Sequence, residues 1–114
     1  MSVVGILPAA GSGRRFGAAK QFRELRGLPL LVHAALGFER APSIQSFVVA
    51  VPAGDEERVR ALLLASGLQK LHRVVAGGAE RAESVRRALE AAPPGARYAV
   101  IHDAARPFAS PALF

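Results

Sequence analysis

The sequence predicts an α/β fold built on a mainly parallel sheet with helices on both faces, and three observations predict it. Four short apolar runs alternate with three longer segments whose apolar residues recur at helical spacing. The runs are nearly uninterrupted, the composition of strands buried on both faces, whereas a half-exposed antiparallel sheet alternates apolar with polar residues. No repeat, linker or low-complexity stretch divides the chain, so residues 1–114 read as part of a single domain.

The elements follow in order. Val3 to Leu7 is a first buried strand, ended by Pro8 and a glycine cluster. From Pro29 to Ala41 the residues Leu31, Ala34, Ala35 and Phe38 recur at helical spacing, with Pro29 suited to the first helical position. Ile44 to Val51 holds Phe47, Val48, Val49 and Val51, β-branched and aromatic enough for a second strand, and Pro52 stops it. Asp55, Glu56 and Glu57 place negative charge where a helix macrodipole favours it, and Val59, Leu62 and Leu63 form the buried stripe up to Gly67. Leu71 to Ala76 is a third strand. Glu80 to Ala92 is a third helix, with Val85, Ala88 and Leu89 facing inward, and Tyr98 to His102 a fourth strand. Ser110 and Pro111 then make a cap and first turn for Ala112, Leu113 and Phe114, but the sequence stops within that turn. A helix so short is unstable alone, so the expectation is the front part of a longer protein, truncated at the C-terminus.

Composition narrows the function classes. A chain of 114 residues buries about two-thirds of its unfolded surface on folding, and 51% hydrophobic with 21% charged residues is a globular balance. The absence of cysteine excludes a disulfide framework and thiolate zinc sites. No apolar stretch is long enough to cross a bilayer, and Met1 to Pro8 lacks the basic start of a secretory signal, so a cytoplasmic protein without a membrane partner is expected. The net charge of +6 is uneven: Arg14, Arg15, Lys20, Arg23 and Arg26 against Glu24 put +4 of it in one glycine-containing segment. A polynucleotide-binding module competes for that charge. Six Phe and one Tyr form no stacking platform, however, and no nucleic-acid partner is expected.

In parallel α/β sheets ligands bind beyond the carboxyl ends of the strands, so three loops matter. The first runs Leu7, Pro8, Ala9, Ala10, Gly11, Ser12, Gly13, Arg14, Arg15, Phe16, Gly17, with Lys20 and Gln21 behind it. Its small residues let backbone N–H groups approach an anion, and Arg15 and Lys20 supply charge to a polyphosphate. The spacing G-x-G-x-x-x-G misses the dinucleotide fingerprint, no Gly-Lys-Ser/Thr completes a P-loop, and no acidic residue ends the second strand to hold a ribose. An ordinary glycine-rich turn is the competing reading, and the clustered cations favour phosphate. The second loop runs from Gly77 and Gly78 through Ala79, Glu80, Arg81, Ala82, Glu83 and Ser84 to Val85, a surface for a base or ribose or, more plainly, a helix start with Ser84 toward solvent. The third, His102, Asp103, Ala104, Ala105, Arg106, Pro107, sets a carboxylate at a strand end, where a metal or substrate ligand belongs. His33, His72 and His102 read as structural.

Together these three segments resemble the 2-C-methyl-D-erythritol 4-phosphate cytidylyltransferases: Leu7 to Arg15 with Lys20, Gln21 and Phe22, then Gly77 to Val85, then His102 to Pro107. The resemblance implies a Rossmann-like three-layer nucleotidyltransferase fold that uses CTP and a divalent cation, usually Mg²⁺, and works as a homodimer on methylerythritol phosphate. It implies catalytic roles for Arg15 and Lys20, a CTP site lined by Ala9, Ala10, Gly11, Gly13, Gly78 and Ser84, and contacts from Asp103 and Arg106 to the reacting phosphate and the sugar alcohol. Asp103 is also the candidate metal ligand, with Mg²⁺ held mainly through phosphates. Ala79 departs from the Asp that relatives often carry after the paired glycines, which leaves only backbone recognition there. The competing functions are cytidylyl transfer to another polyol or sugar phosphate, such as ribitol 5-phosphate, and an inactive nucleotide-binding fragment. Ala9 with Ala10, and Ala104 with Ala105, favour the methylerythritol enzyme.

Overall fold

Strand β1, Val3–Pro8, is buried from Val4 onward, and its burial on both faces organises the rest of the molecule. A computed structural model of the chain describes residues 3–10, 24–25 and 28–102. After β1 come β2 (Glu24–Leu25), β3 (Leu28–Pro29), α1 (Leu30–Arg40), β4 (Ser46–Val51), α2 (Glu56–Ala65), β5 (Leu71–Ala76), α3 (Arg81–Glu90) and β6 (Tyr98–Ile101). The main sheet has the order β5-β4-β1-β6 with every pair parallel. This is the α/β architecture expected, with each of the four strands and three helices predicted before Asp103 in place to within two residues at either end, while the helix opening expected at Ser110 to Phe114 lies outside the described residues.

Side-chain alternation in the two central strands builds two cores. Leu7 of β1 and Phe47, Val49 and Val51 of β4 pack with Leu31, Ala35 and Phe38 of α1 and with Val59 and Leu63 of α2. Their neighbours Val4, Ile6, Val48 and Ala50 point to the opposite face and meet Ala88 and Val85 of α3. Helices α1 and α2 therefore cover one face and α3 the other, as right-handed crossovers require when the strand order first runs one way from β1 and then returns past it. Phe38 lies flat on β1 at Gly5, where a Cβ would stand 2.9 Å from its ring. The ring also meets Phe47 at a centroid distance of 5.8 Å, which makes this the tightest knot of the larger core.

The structure departs from the sequence reading at four places. The antiparallel pair β2–β3, with Leu25 opposite Leu28, was not expected, because two residues per strand leave no periodicity to read. Pro29 ends that pair with ψ at 148° and precedes the helix, which begins at Leu30. In β5 the register jumps from Phe47↔Leu71 to Val48↔Arg73, so His72 bulges out exposed, and Leu71 and Val74 reach the same core. Leu89, expected to face inward, is 44% exposed, since the buried line of α3 runs through Ser84 and Ala88.

Candidate functional site

Chain direction places the site. From β1 the chain passes to β4 and β5 on one side, then α3 carries it across the sheet to β6 on the other side of β1. The order reverses at β1/β6, and ligands of such sheets bind beyond the carboxyl ends of the strands near that switch. Three backbone hydrogen bonds carry the ladders one residue past the strands there: Ala9 N–H donates to Ala50 O at 2.6 Å, Gly77 N–H to Val51 O at 2.7 Å, and His102 N–H to Ile6 O at 3.0 Å. The starts of all three loops picked from the sequence are thereby fixed along one edge.

Two of those loops touch. A Cβ on Gly77 would collide with the Ala10 side chain and stand 2.6 Å from Ser84 Oγ, so this glycine fills the junction between the first loop and the start of α3. Ser84 is 2% exposed and is the one buried polar side chain among the described residues. Its hydroxyl accepts the Gly78 N–H at 3.1 Å and donates to Gly78 O at 3.4 Å, which satisfies it in place and excludes the reading that sets it toward solvent. The Glu83 carboxylate lies against Gly78, on the spot a Cβ would take. Arg87, one turn on, reaches Glu83 Oε1 at 3.3 Å and donates to Gly77 O at 3.4 Å.

The predicted residues thus divide. Ala10, Gly78 and Ser84 converge on Gly77, while the side chain of Ala9 is 1% exposed and belongs to the core beside α1. Gly11, Gly13, Arg15, Lys20, Asp103 and Arg106 lie outside the described residues. The His102 ring stands edge-on to Phe38, centroids 6.3 Å apart and planes at 76°, the packed role expected of it. Among the described residues no three His, Cys, Asp or Glu side chains gather in a metal-binding group, and no helix is long and apolar enough to cross a membrane. Sequence reasoning named Gly77 and Glu83 only as members of the second loop and did not name Arg87. The available signal was the i,i+4 pair of opposite charges directly behind two glycines.

Comparisons with known proteins give the family. The profile of the IspD family, 2-C-methyl-D-erythritol 4-phosphate cytidylyltransferase, matches residues 3–114. The protein of that name from Salinibacter ruber is 47% identical over 108 residues, covering 94% of this chain and 45% of the relative. That from Symbiobacterium thermophilum is 49% identical over 104 residues, covering 90% and 42%. Among solved structures, 4-diphosphocytidyl-2C-methyl-D-erythritol synthase from Anaerococcus prevotii superposes with a TM-score of 0.82 at 28% identity, covering 99% of this chain and 47% of that one. The chain spans less than half the length of these three proteins.

Proposed function

From a chain that belongs to the 2-C-methyl-D-erythritol 4-phosphate cytidylyltransferase family, we propose that the whole protein transfers the cytidylyl group of CTP to 2-C-methyl-D-erythritol 4-phosphate and releases pyrophosphate. The observation that carries this reading is the junction of Ala10, Gly77 and Ser84 at the carboxyl edge of the sheet. It joins the phosphate-loop end of β1 to the glycine turn after β5, one for the triphosphate and the other for the base and ribose. Backbone carbonyls at such a turn keep a second lone pair for a planar base, so recognition needs no side chain at Ala79.

In the reaction an oxygen of the substrate phosphate attacks the α-phosphorus of CTP. The α–β bridging bond breaks, and pyrophosphate leaves with its electron pair. No general base is required, because a phosphate monoester is largely ionised at pH 7. The task of the protein is to hold the two phosphates in line and to neutralise charge growing on the bridging oxygen. Arg15 and Lys20 serve the triphosphate, Gly11 and Gly13 let backbone N–H groups reach it, Gly78 and Ser84 shape the nucleotide side, and Asp103 and Arg106 face the acceptor. The donor chemistry fits a hard cation held mostly by phosphate oxygens, since the chain has only two aspartates, and the family resemblance gives Asp103 as the protein ligand. A bound Mg²⁺ supplies Lewis-acid neutralisation of the phosphate oxygens. The proposal extends to a homodimer working in the cytoplasm.

Pyrophosphate release by the whole protein tests the reading. CTP with methylerythritol phosphate and Mg²⁺ is expected to give release that a chelator abolishes. Preference for ribitol 5-phosphate would contradict the acceptor assignment and leave the nucleotide assignment standing.

A further inference from the structure

Two adjacent glycines have no side chains with which to fix their own conformation, so their partners fix it. All four backbone polar groups of Gly77 and Gly78 are engaged. Val51 O takes the Gly77 N–H, Ser84 Oγ serves both the N–H and the carbonyl of Gly78, and the Gly77 carbonyl accepts from the Arg87 guanidinium. Of these partners only Arg87 carries charge. Its other contact, Glu83, holds a carboxylate directly over Gly78.

We infer that Arg87 is a positioning residue for the nucleotide, acting through the Gly77–Gly78 turn and through Glu83. The inference rests on the functional reading above and deepens it. The ion pair is not a stabiliser of the fold: the two side chains are 44% and 41% exposed, and such pairs contribute little to folding. Its effect is local. The guanidinium pins the Gly77 carbonyl, which aims the Gly77–Gly78 peptide, and it neutralises an acidic group that stands beside the proposed place of a polyanion. Without Arg87 the Glu83 charge would oppose the triphosphate, and the glycine turn would lose one of its two side-chain anchors.

Steady-state kinetics on the whole protein tests this, with R87M, R87K and the double variant E83Q/R87M beside the wild type. In R87M the KM for CTP should rise about fivefold, the scale of one ordinary hydrogen bond. The KM for the acceptor phosphate, kcat and the thermal midpoint should stay close to wild type. R87K should recover part of the loss by restoring the charge, and E83Q/R87M should recover part by removing the need for it. A folded R87M with unchanged KM for CTP would overturn the inference, as would an equal loss in kcat and both KM values with a lowered midpoint, which marks a merely structural role. Should R87M fail to fold, that too marks a structural role, and an R87K variant with wild-type kinetics would leave charge alone as the requirement and overturn the pinning of Gly77. A wild type that uses no CTP would overturn the functional reading and this inference with it, whereas a wild type active with CTP beside an indistinguishable R87M overturns this inference alone.

Discussion

Gly77 and Gly78 are neighbours in sequence and opposites in consequence. A methyl group on Gly77 meets Ala10 and the buried Ser84, both held by backbone on either side, whereas the nearest atoms to one on Gly78 are Cγ, Cδ and Oε1 of the flexible Glu83 side chain. Gly77→Ala should therefore displace the first loop and weaken CTP binding by tenfold or more, about 1.4 kcal/mol or above, while Gly78→Ala costs little once Glu83 swings away. Isothermal titration of the two variants checks the order, and equal affinities would contradict it. Arg15→Ala and Lys20→Ala should each lower turnover by about a hundredfold, the cost of one transition-state electrostatic contact, with the far-UV circular dichroism unchanged. At this scale the sequence was partly legible. Small residues at strand ends pointed to close backbone approach in the first two loops, but only the family resemblance gave Ala10, Gly78 and Ser84 as a CTP site. Gly77 was read only as one of two glycines at a strand end, because its need for a bare Cα comes from Ala10, 67 positions away in the chain, and no local pattern records that.

Phe38 shows how one element carries the site. It is fully buried, lies on Gly5 of β1, packs on Phe47 of β4 and takes the edge of His102 at the end of β6. Truncation to alanine removes a contact shared by the middle of β1, the start of β4 and the end of β6, and Phe38→Ala should cost about 3–5 kcal/mol of stability, read from urea unfolding. A loss below about 1 kcal/mol would show that α1 does not anchor these strands. The strands and helices of the main sheet were legible because double-sided burial writes continuous apolar runs and helical stripes into the sequence. The β2–β3 pair and the bulge at His72 were not, since the first is too short for any period and the second is set by pairing with β4. Leu89 was misplaced for a related reason. Helical spacing finds a stripe, but the sheet beneath α3 offers Val4, Ile6, Val48 and Ala50, and Ala88 with Val85 seats against them.

At the scale of the molecule the two outer strands of the main sheet differ. β5 is blunted by its bulge and by exposed His72 and Arg73, common devices against edge pairing. β6 has no charge among Tyr98, Ala99, Val100 and Ile101, and Tyr98 is 56% and Ile101 41% exposed. Beside it a groove of about 220 Å³ is lined by Leu89, Pro93, Ala96, Arg97 and Tyr98 among others. An uncharged strand edge of this kind attracts cover. The 114-residue chain on its own should self-associate, with Tyr98→Lys and Leu89→Glu reducing the effect in light scattering, and a strictly monomeric chain at high concentration would contradict this.

The central claim is that CTP sits where the first loop, the glycine turn and the start of α3 meet. Amide chemical shifts of the isotope-labelled whole protein, followed as CTP is added with Mg²⁺, test it most directly. The account predicts that the amides of Ala10, Gly77, Gly78 and Ser84 move together and saturate at one concentration, while those of the distant groove at Ala96 to Ala99 stay still. Saturable shifts confined to the groove, with the glycine turn unmoved, would contradict it.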